Sequence, residues 1–193
     1  MDAAWTRAAL QDMPHGCLRL RLAPYSLGHH LMLGQVNSPF LNGERGSIED
    51  LSVAVLICSQ PWRESQRTLR KWWLPLYVWI WKHIACRKID IRKEKNAFLE
   101  YLDGGLWFPD ANEHVGKGRE LKSPGLFRLI AKMCSEFNLT PDAALDMPMS
   151  FANALYAAAD DLAGKIDLYG GSDAELSKRV DLLDAQGESA WAC

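Results

Sequence analysis

Helix-start signals recur along this chain, and almost nothing in it alternates in the way a sheet requires. Ser47-Ile48-Glu49-Asp50 places a hydroxyl that can take an orphan backbone donor ahead of two acids that complement the helix dipole. Leu51, Ala54, Val55 and Cys58 then share one face. Ser123-Pro124 and Thr140-Pro141 each join a cap to a proline whose missing N–H is harmless in a first turn. Leu126, Leu129, Ile130, Met133, Cys134 and Phe137 follow the first of these at the offsets of a core-facing stripe. Asp146 and Pro148 restart the chain into a helix through about Ala163, and Ser172-Asp173-Ala174-Glu175 is a capping box for a last helix to about Ala185.

The same reading fills in the first half. Ser26 caps a short helix to about Gln35, and Ser38-Pro39, Asn42-Gly43 and Gly46 mark a loop. Pro61 opens a helical run over 63–87 that Pro75 kinks or divides, with the break placed near Leu74. A helix from Ile91 to about Leu102 is read as ending at Gly104-Gly105 in a left-handed stop. Leu18-Arg19-Leu20-Arg21-Leu22 is the one convincing period-two run and reads as a short half-buried strand or extended arm, while Lys165 to Tyr169 reads as extended.

The expectation is therefore a mainly α protein: a compact bundle of about seven helices with at most a short extended N-terminal strand. With 193 residues, one domain of the usual roughly 100–200 fits. Residues 1–16 are expected to be a flexible N-terminal segment, 17–186 a single helical domain with a mobile loop near 108–123, and 187–193 a loose C-terminal tail. At 48% hydrophobic and 24% charged residues, global disorder and a collagen-like fibre are excluded.

A formal charge of -2 speaks against a uniformly basic nucleic-acid binder, but it hides a sorted distribution. Residues 61–100 hold ten Lys/Arg against four Asp/Glu, and residues 135–193 hold three against eleven. The five cysteines, Cys17, Cys58, Cys86, Cys134 and Cys193, are widely spaced with no CxxC pair, which fits a reduced intracellular setting. The N-terminus has an acid at position 2 and no apolar core, so no signal peptide is expected. The most apolar stretch, Trp72 to Trp81, falls well short of the roughly 20 residues that span a bilayer, so no membrane span is expected.

That stretch is also the strongest candidate for a site. Trp72, Trp73, Trp79 and Trp81 fall within ten residues, mixed with Leu74, Leu76, Tyr77, Val78 and Ile80 and bounded by Arg70-Lys71 and Lys82-His83. A helix so apolar all round is either buried in its own fold, shared with a protein partner through aromatic hot spots, or docked on a membrane surface. The partner-binding candidates are Trp72, Trp73, Tyr77, Trp79, Trp81, Arg70 and Lys71.

Chemistry is less well represented. The basic run Lys82, Arg87, Lys88, Arg92, Lys93 and Lys95 is interrupted by Asp90 and Glu94, which favours a solvated face with intrahelical ion pairs over a phosphate track. His29 and His30, like Asp160 and Asp161, are adjacent and diverge by about 100° on a helix, so neither pair makes a metal or acid/base site by itself. Gly116-Lys117-Gly118-Arg119 lacks the spacing of a phosphate-binding loop. Cys58 and Cys134 sit in apolar stripes, where thiols act as small hydrophobes. No catalytic residue, metal-ligand set or cofactor is nominated.

Two stretches are familiar in combination: Tyr25-Ser26-Leu27-Gly28-His29-His30-Leu31, leading through Ser38-Pro39-Phe40 to Cys58-Ser59-Gln60-Pro61-Trp62, and Met147-Pro148-Met149-Ser150 leading to Ala154-Leu155-Tyr156. The arrangement resembles small helical proteins of tailed-phage and prophage structural clusters, including the tail assembly chaperone type, over residues 24–62 and 140–169. The resemblance implies a non-enzymatic protein acting in the host cell cytoplasm, or retained in the virion, that holds a tail structural protein of the tape measure type. A structural component of the tail or head-tail connection, with a homo-oligomer assembled by the charge asymmetry, is the alternative. An enzyme with a composite site around His29, His30 and Asp160 or Asp161 is the third expectation.

Overall fold

A computed structural model describes residues 15–44, 46–84, 89–109, 111–113 and 125–168. These residues form eight α-helices: α1 (Leu27–Gln35), α2 (Ile48–Cys58), α3 (Trp62–Leu69), α4 (Leu74–Ile84), α5 (Ile91–Gly105), α6 (Gly125–Glu136), α7 (Pro141–Asp146) and α8 (Met149–Leu162). A turn of 3-10 helix, Pro39–Asn42, stands between α1 and α2. Among the described residues, the strands form two small antiparallel ladders, β1 (Gly16–Cys17) with β2 (Leu20–Arg21), and β3 (Ala111–Glu113) with β4 (Ile166–Leu168). The molecule is mainly α.

Helices α1, α2, α5 and α7 each begin where a side chain satisfies orphan donors of the first turn. Ser47 Oγ accepts from Asp50 N–H at 3.1 Å while the Asp50 carboxylate accepts from Ser47 N–H at 2.7 Å, which closes a capping box at α2. Asp90 accepts from the N–H groups of Arg92 and Lys93 at α5, and Thr140 from that of Ala143 at α7. The run over 63–87 is divided: α3 stops at Leu69 and α4 restarts at Leu74, so Pro75 sits in a first turn, where no backbone donor is needed. Residues 85–87 of that run, the pair Ser123-Pro124 and the capping box at Ser172 lie outside the described residues.

Two apolar clusters make the core. One joins the β1–β2 hairpin to α1, α2 and α5 through Leu18, Tyr25, Leu33, Leu51, Val55, Ile57, Phe98 and Leu102. The other gathers Leu27, Leu129, Met133, Ala144 and Ala152 from α1, α6, α7 and α8, with the stripe residues Leu126, Ile130, Cys134 and Phe137 against it. Met149 packs on both. The backbone is stitched at the same point: Leu27 N–H donates to Met147 O at 3.2 Å and Met149 N–H to Tyr25 O at 2.8 Å, around the bridge between Ser26 and Pro148.

Three local expectations are revised. The alternating run Leu18–Leu22 does not travel as one strand; it turns back at Leu18 and Arg19, whose φ angles are 49° and 65°. Left-handed backbone costs a non-glycine residue about 1 kcal/mol, here offset by the complete burial of Leu18 and by its N–H, which donates to Glu94 Oε2 at 2.5 Å. Gly104 and Gly105 are not a left-handed stop but the last turn of α5, which runs on to a right-handed cap at Leu106. Gly105 is glycine for contact, since a Cβ there would lie 2.6 Å from Tyr25 Cδ1. Finally, Ala111–Glu113, within the stretch read as a loop near 108–123, pairs with β4 in the register Ala111 to Leu168, Asn112 to Asp167 and Glu113 to Ile166. Residues 110 and 114–123 of that stretch, residues 1–14, and the tail 187–193 lie outside the described residues.

Candidate partner-binding surface

Among the described residues, helix α4 packs chiefly against α2. A helix apolar on every side cannot bury every side against one neighbour, so part of it must face outward. Leu76 is 55% exposed, Trp79 58% and Ile80 40%, and Trp72, in the turn before the helix, is 89% exposed. Leu76 and Ile80 are one step of an i, i+4 row, and Trp79 stands beside it. Trp73, Leu74 and Val78 are half-buried. Lys71 Nζ lies 5.1 Å from the Trp73 ring centroid, within range of a cation–π contact, and Arg70 and Lys71 are both exposed.

Of the seven nominated residues, Arg70, Lys71, Trp72 and Trp79 are exposed and Trp73 is half-buried. Tyr77 and Trp81 fall within α4, and both side chains lie outside the described part of the structure. Leu76 and Ile80 were not nominated, yet they carry as much of the exposed surface as Trp79. Their helical offset from one another is the sequence signal that marks them.

The histidine and aspartate pairs are engaged separately. Ser26 Oγ accepts from His29 N–H, and Ser26 N–H donates to His29 Nδ1 at 3.1 Å, so His29 takes the place a Glu or Gln holds in an ordinary capping box. A backbone N–H can only donate, which leaves the ring proton on Nε2, and this donates to Gln60 O at 2.8 Å. Burial lowers the His29 pKa from its usual value, so the ring is neutral with both nitrogens used. His30 Nδ1 is hydrogen-bonded to Tyr25 Oη at 2.9 Å, and burial lowers its pKa as well.

Asp160, at the far end of α8, receives Lys132 Nζ at 2.5 Å and Lys165 Nζ at 3.1 Å. Burial opposes its charge, but the two ammonium hydrogen bonds outweigh that and its pKa is lowered. Lys132 Nζ also lies 3.7 Å from the Tyr156 ring centroid. Asp161 faces another way and accepts from Leu168 N–H at 3.2 Å, which anchors β4. Each of the four side chains has a structural partner of its own.

The remaining candidates resolve in the same sense. Both acids of the basic run are used internally, Asp90 as the cap of α5 and Glu94 on Leu18, while Lys95 reaches Gly46 O. Arg87 and Lys88, and the loop Gly116–Arg119, lie outside the described residues. Burial pushes the thiols of Cys17 and Cys58 up to about 12, far from the reactive thiolate. Cys134 is half-buried, and Cys86 and Cys193 lie outside the described residues. Among the described residues no group of three or more His, Cys, Asp or Glu side chains could hold a metal ion, and no helix is long and apolar enough to cross a membrane.

The two stretches behind the phage resemblance meet in space. Besides the Ser26–Pro148 bridge, Trp62 Nε1 donates to Asp146 Oδ1 at 2.6 Å, and Arg63 reaches the same carboxylate at 3.1 Å. A Cβ on Gly28 would stand 2.3 Å from Trp62 Cγ, so this glycine lets α3 approach α1. Asp146, read from sequence as part of a helix restart, ends α7 and serves as the anchor for α3. Contacts between the two stretches tie α1 and α3 to α7 and the start of α8. In comparisons with known proteins, no family model, no curated protein and no solved structure matches this chain.

Proposed function

We propose that this protein is a non-enzymatic assembly factor of a phage tail, a chaperone that holds a tail structural protein of the tape measure type through the outward face of α4. The observation that carries the reading is the row of exposed apolar side chains, Trp72, Leu76, Trp79 and Ile80, beside the exposed cations Arg70 and Lys71. Exposed aromatic and aliphatic anchors next to arginine are the make-up of a binding hot spot. The occupied states of His29, His30, Asp160 and Asp161 support binding over a composite catalytic centre. Its place of action on this reading is the host cell cytoplasm.

The test is affinity capture of the full chain co-expressed with the tail proteins encoded beside it. A tail structural protein should be retained, and Leu76→Ser with Trp79→Ser should cut its recovery by about tenfold or more, as loss of hot-spot anchors does. Undiminished capture by that variant, or capture of no tail protein, rejects the proposal. Stoichiometric recovery in purified particles would instead mark a structural virion component.

A further inference from the structure

The region that carries the exposed row has an unusual charge. From Ser65 to Ile89 the sequence contains six Lys/Arg and not one Asp or Glu. Three of those cations, Arg67, Arg70 and Lys71, are exposed on the approach to α4. These cations precede the apolar row directly in the chain, so positive charge lies at its N-terminal end.

This combination selects its occupant. A second copy of the same face would bring cations against cations, and like charges brought together at an interface are strongly disfavoured. The apolar part is a row and not a flat sheet of side chains: Leu76 and Ile80 lie at i and i+4 with Trp79 alongside, and the flanking Trp73, Leu74 and Val78 sit lower, half-buried. Rows at this offset are the ridges that enter the groove of another helix. A bilayer surface would also take a basic, tryptophan-bearing face; a helix groove differs in matching the narrow i, i+4 spacing of Leu76 and Ile80, and the vesicle arm of the experiment separates the two.

We infer that α4 is a docking surface for an acidic amphipathic helix, one whose apolar stripe meets Leu76, Trp79, Ile80 and Trp72 while its flanking carboxylates meet Arg67, Arg70 and Lys71. The inference rests on the binding role given to α4 above and names the chemistry of what binds there. Charge sets the register and the partner, and the apolar row supplies the affinity.

The experiment uses two labelled synthetic helical peptides with the same leucine stripe, one flanked by Glu and the other by Lys, titrated with the full chain by fluorescence anisotropy. The acidic peptide should bind and the basic one should not. Binding should weaken as salt is raised toward about 1 M, where the screening length falls to about 3 Å. Arg70→Glu with Lys71→Glu should weaken the acidic peptide by about tenfold or more and admit the basic one, whereas Leu76→Ser with Ile80→Ser should abolish acidic-peptide binding without admitting the basic one. These positions are at the surface, and an unchanged helical circular dichroism signal confirms each variant; Trp72→Ser replaces any that fails.

Equal binding of the two peptides overturns the inference. So does capture of the wild type by phosphatidylglycerol vesicles with no peptide binding, or a dimer by light scattering that Leu76→Ser dissolves. Capture of a tail protein without acidic-peptide binding would sink this inference and leave the proposed function standing; the reverse pattern would do the opposite.

Discussion

Trp62 occupies the space that a side chain on Gly28 would need, and its indole nitrogen is tied at 2.6 Å to Asp146. Gly28→Ala should therefore destabilise the fold by about 1–3 kcal/mol through overpacking. At Gly104, in the last turn of α5, an added methyl group would meet nothing within 4 Å, so Gly104→Ala should be neutral or stabilising by up to about 1 kcal/mol. Urea unfolding of the two variants should separate them in sign or clearly in size.

Buried neutral histidine makes stability depend on pH. The folded pKa values of His29 and His30 are lowered from 6.5, so the unfolded chain takes up protons that the folded chain refuses. Stability is full above 6.5 and falls as pH drops below it. His29→Gln should lower stability at pH about 7.5, by losing one of two ring hydrogen bonds, and should flatten the loss between there and pH about 5.5. Chemical unfolding at the two pH values reads both effects.

Asp160 acts at a lower pH. Its pKa is depressed below the usual 3.8, so its contribution is present above that value and disappears as pH falls through the folded pKa. Asp160→Ala leaves Lys132, only 12% exposed, without its carboxylate, a loss of about 3 kcal/mol at neutral pH. In the variant the acid-side decline below pH about 4 should shrink. Thermal melts across the acid range provide the comparison.

Thiol reactivity should sort by depth. With Cys17 and Cys58 fully buried and pushed up to about 12, neither should react with an alkylating reagent at pH about 8 before the chain unfolds. Cys134, half-buried, should be modified earlier. Peptide mass mapping after timed alkylation assigns each site; early labelling of Cys58 would contradict the packing described.

Helix identity was legible wherever caps and stripes spoke together. Ser47 with Asp50, Thr140 with Pro141, and the stripe from Leu126 to Phe137 all describe local chemistry, and the structure keeps them. What was not legible depends on distant partners. Gly105 looked like a stop because a glycine at a helix end usually is one, and only the Tyr25 ring shows the other reason for it. The turn at Leu18 is held by Glu94, some 76 residues away, and no local signal announces a leucine at positive φ. The exposed row on α4 was half legible: the sequence showed a helix too apolar to solvate, and which side faces outward was decided by α2.

The bridge between Ser26 and Pro148 also sets a timetable. A chain made from its N-terminus has completed α1 through α5 well before Met147 and Met149 leave the ribosome. Until then Leu27, wholly buried at the end, lacks the residues of α7 and α8 that cover it. Contacts that join segments about 120 residues apart form late and slowly, so the first half of this protein must wait with an open seam, and a chain cut short before Met147 never closes it.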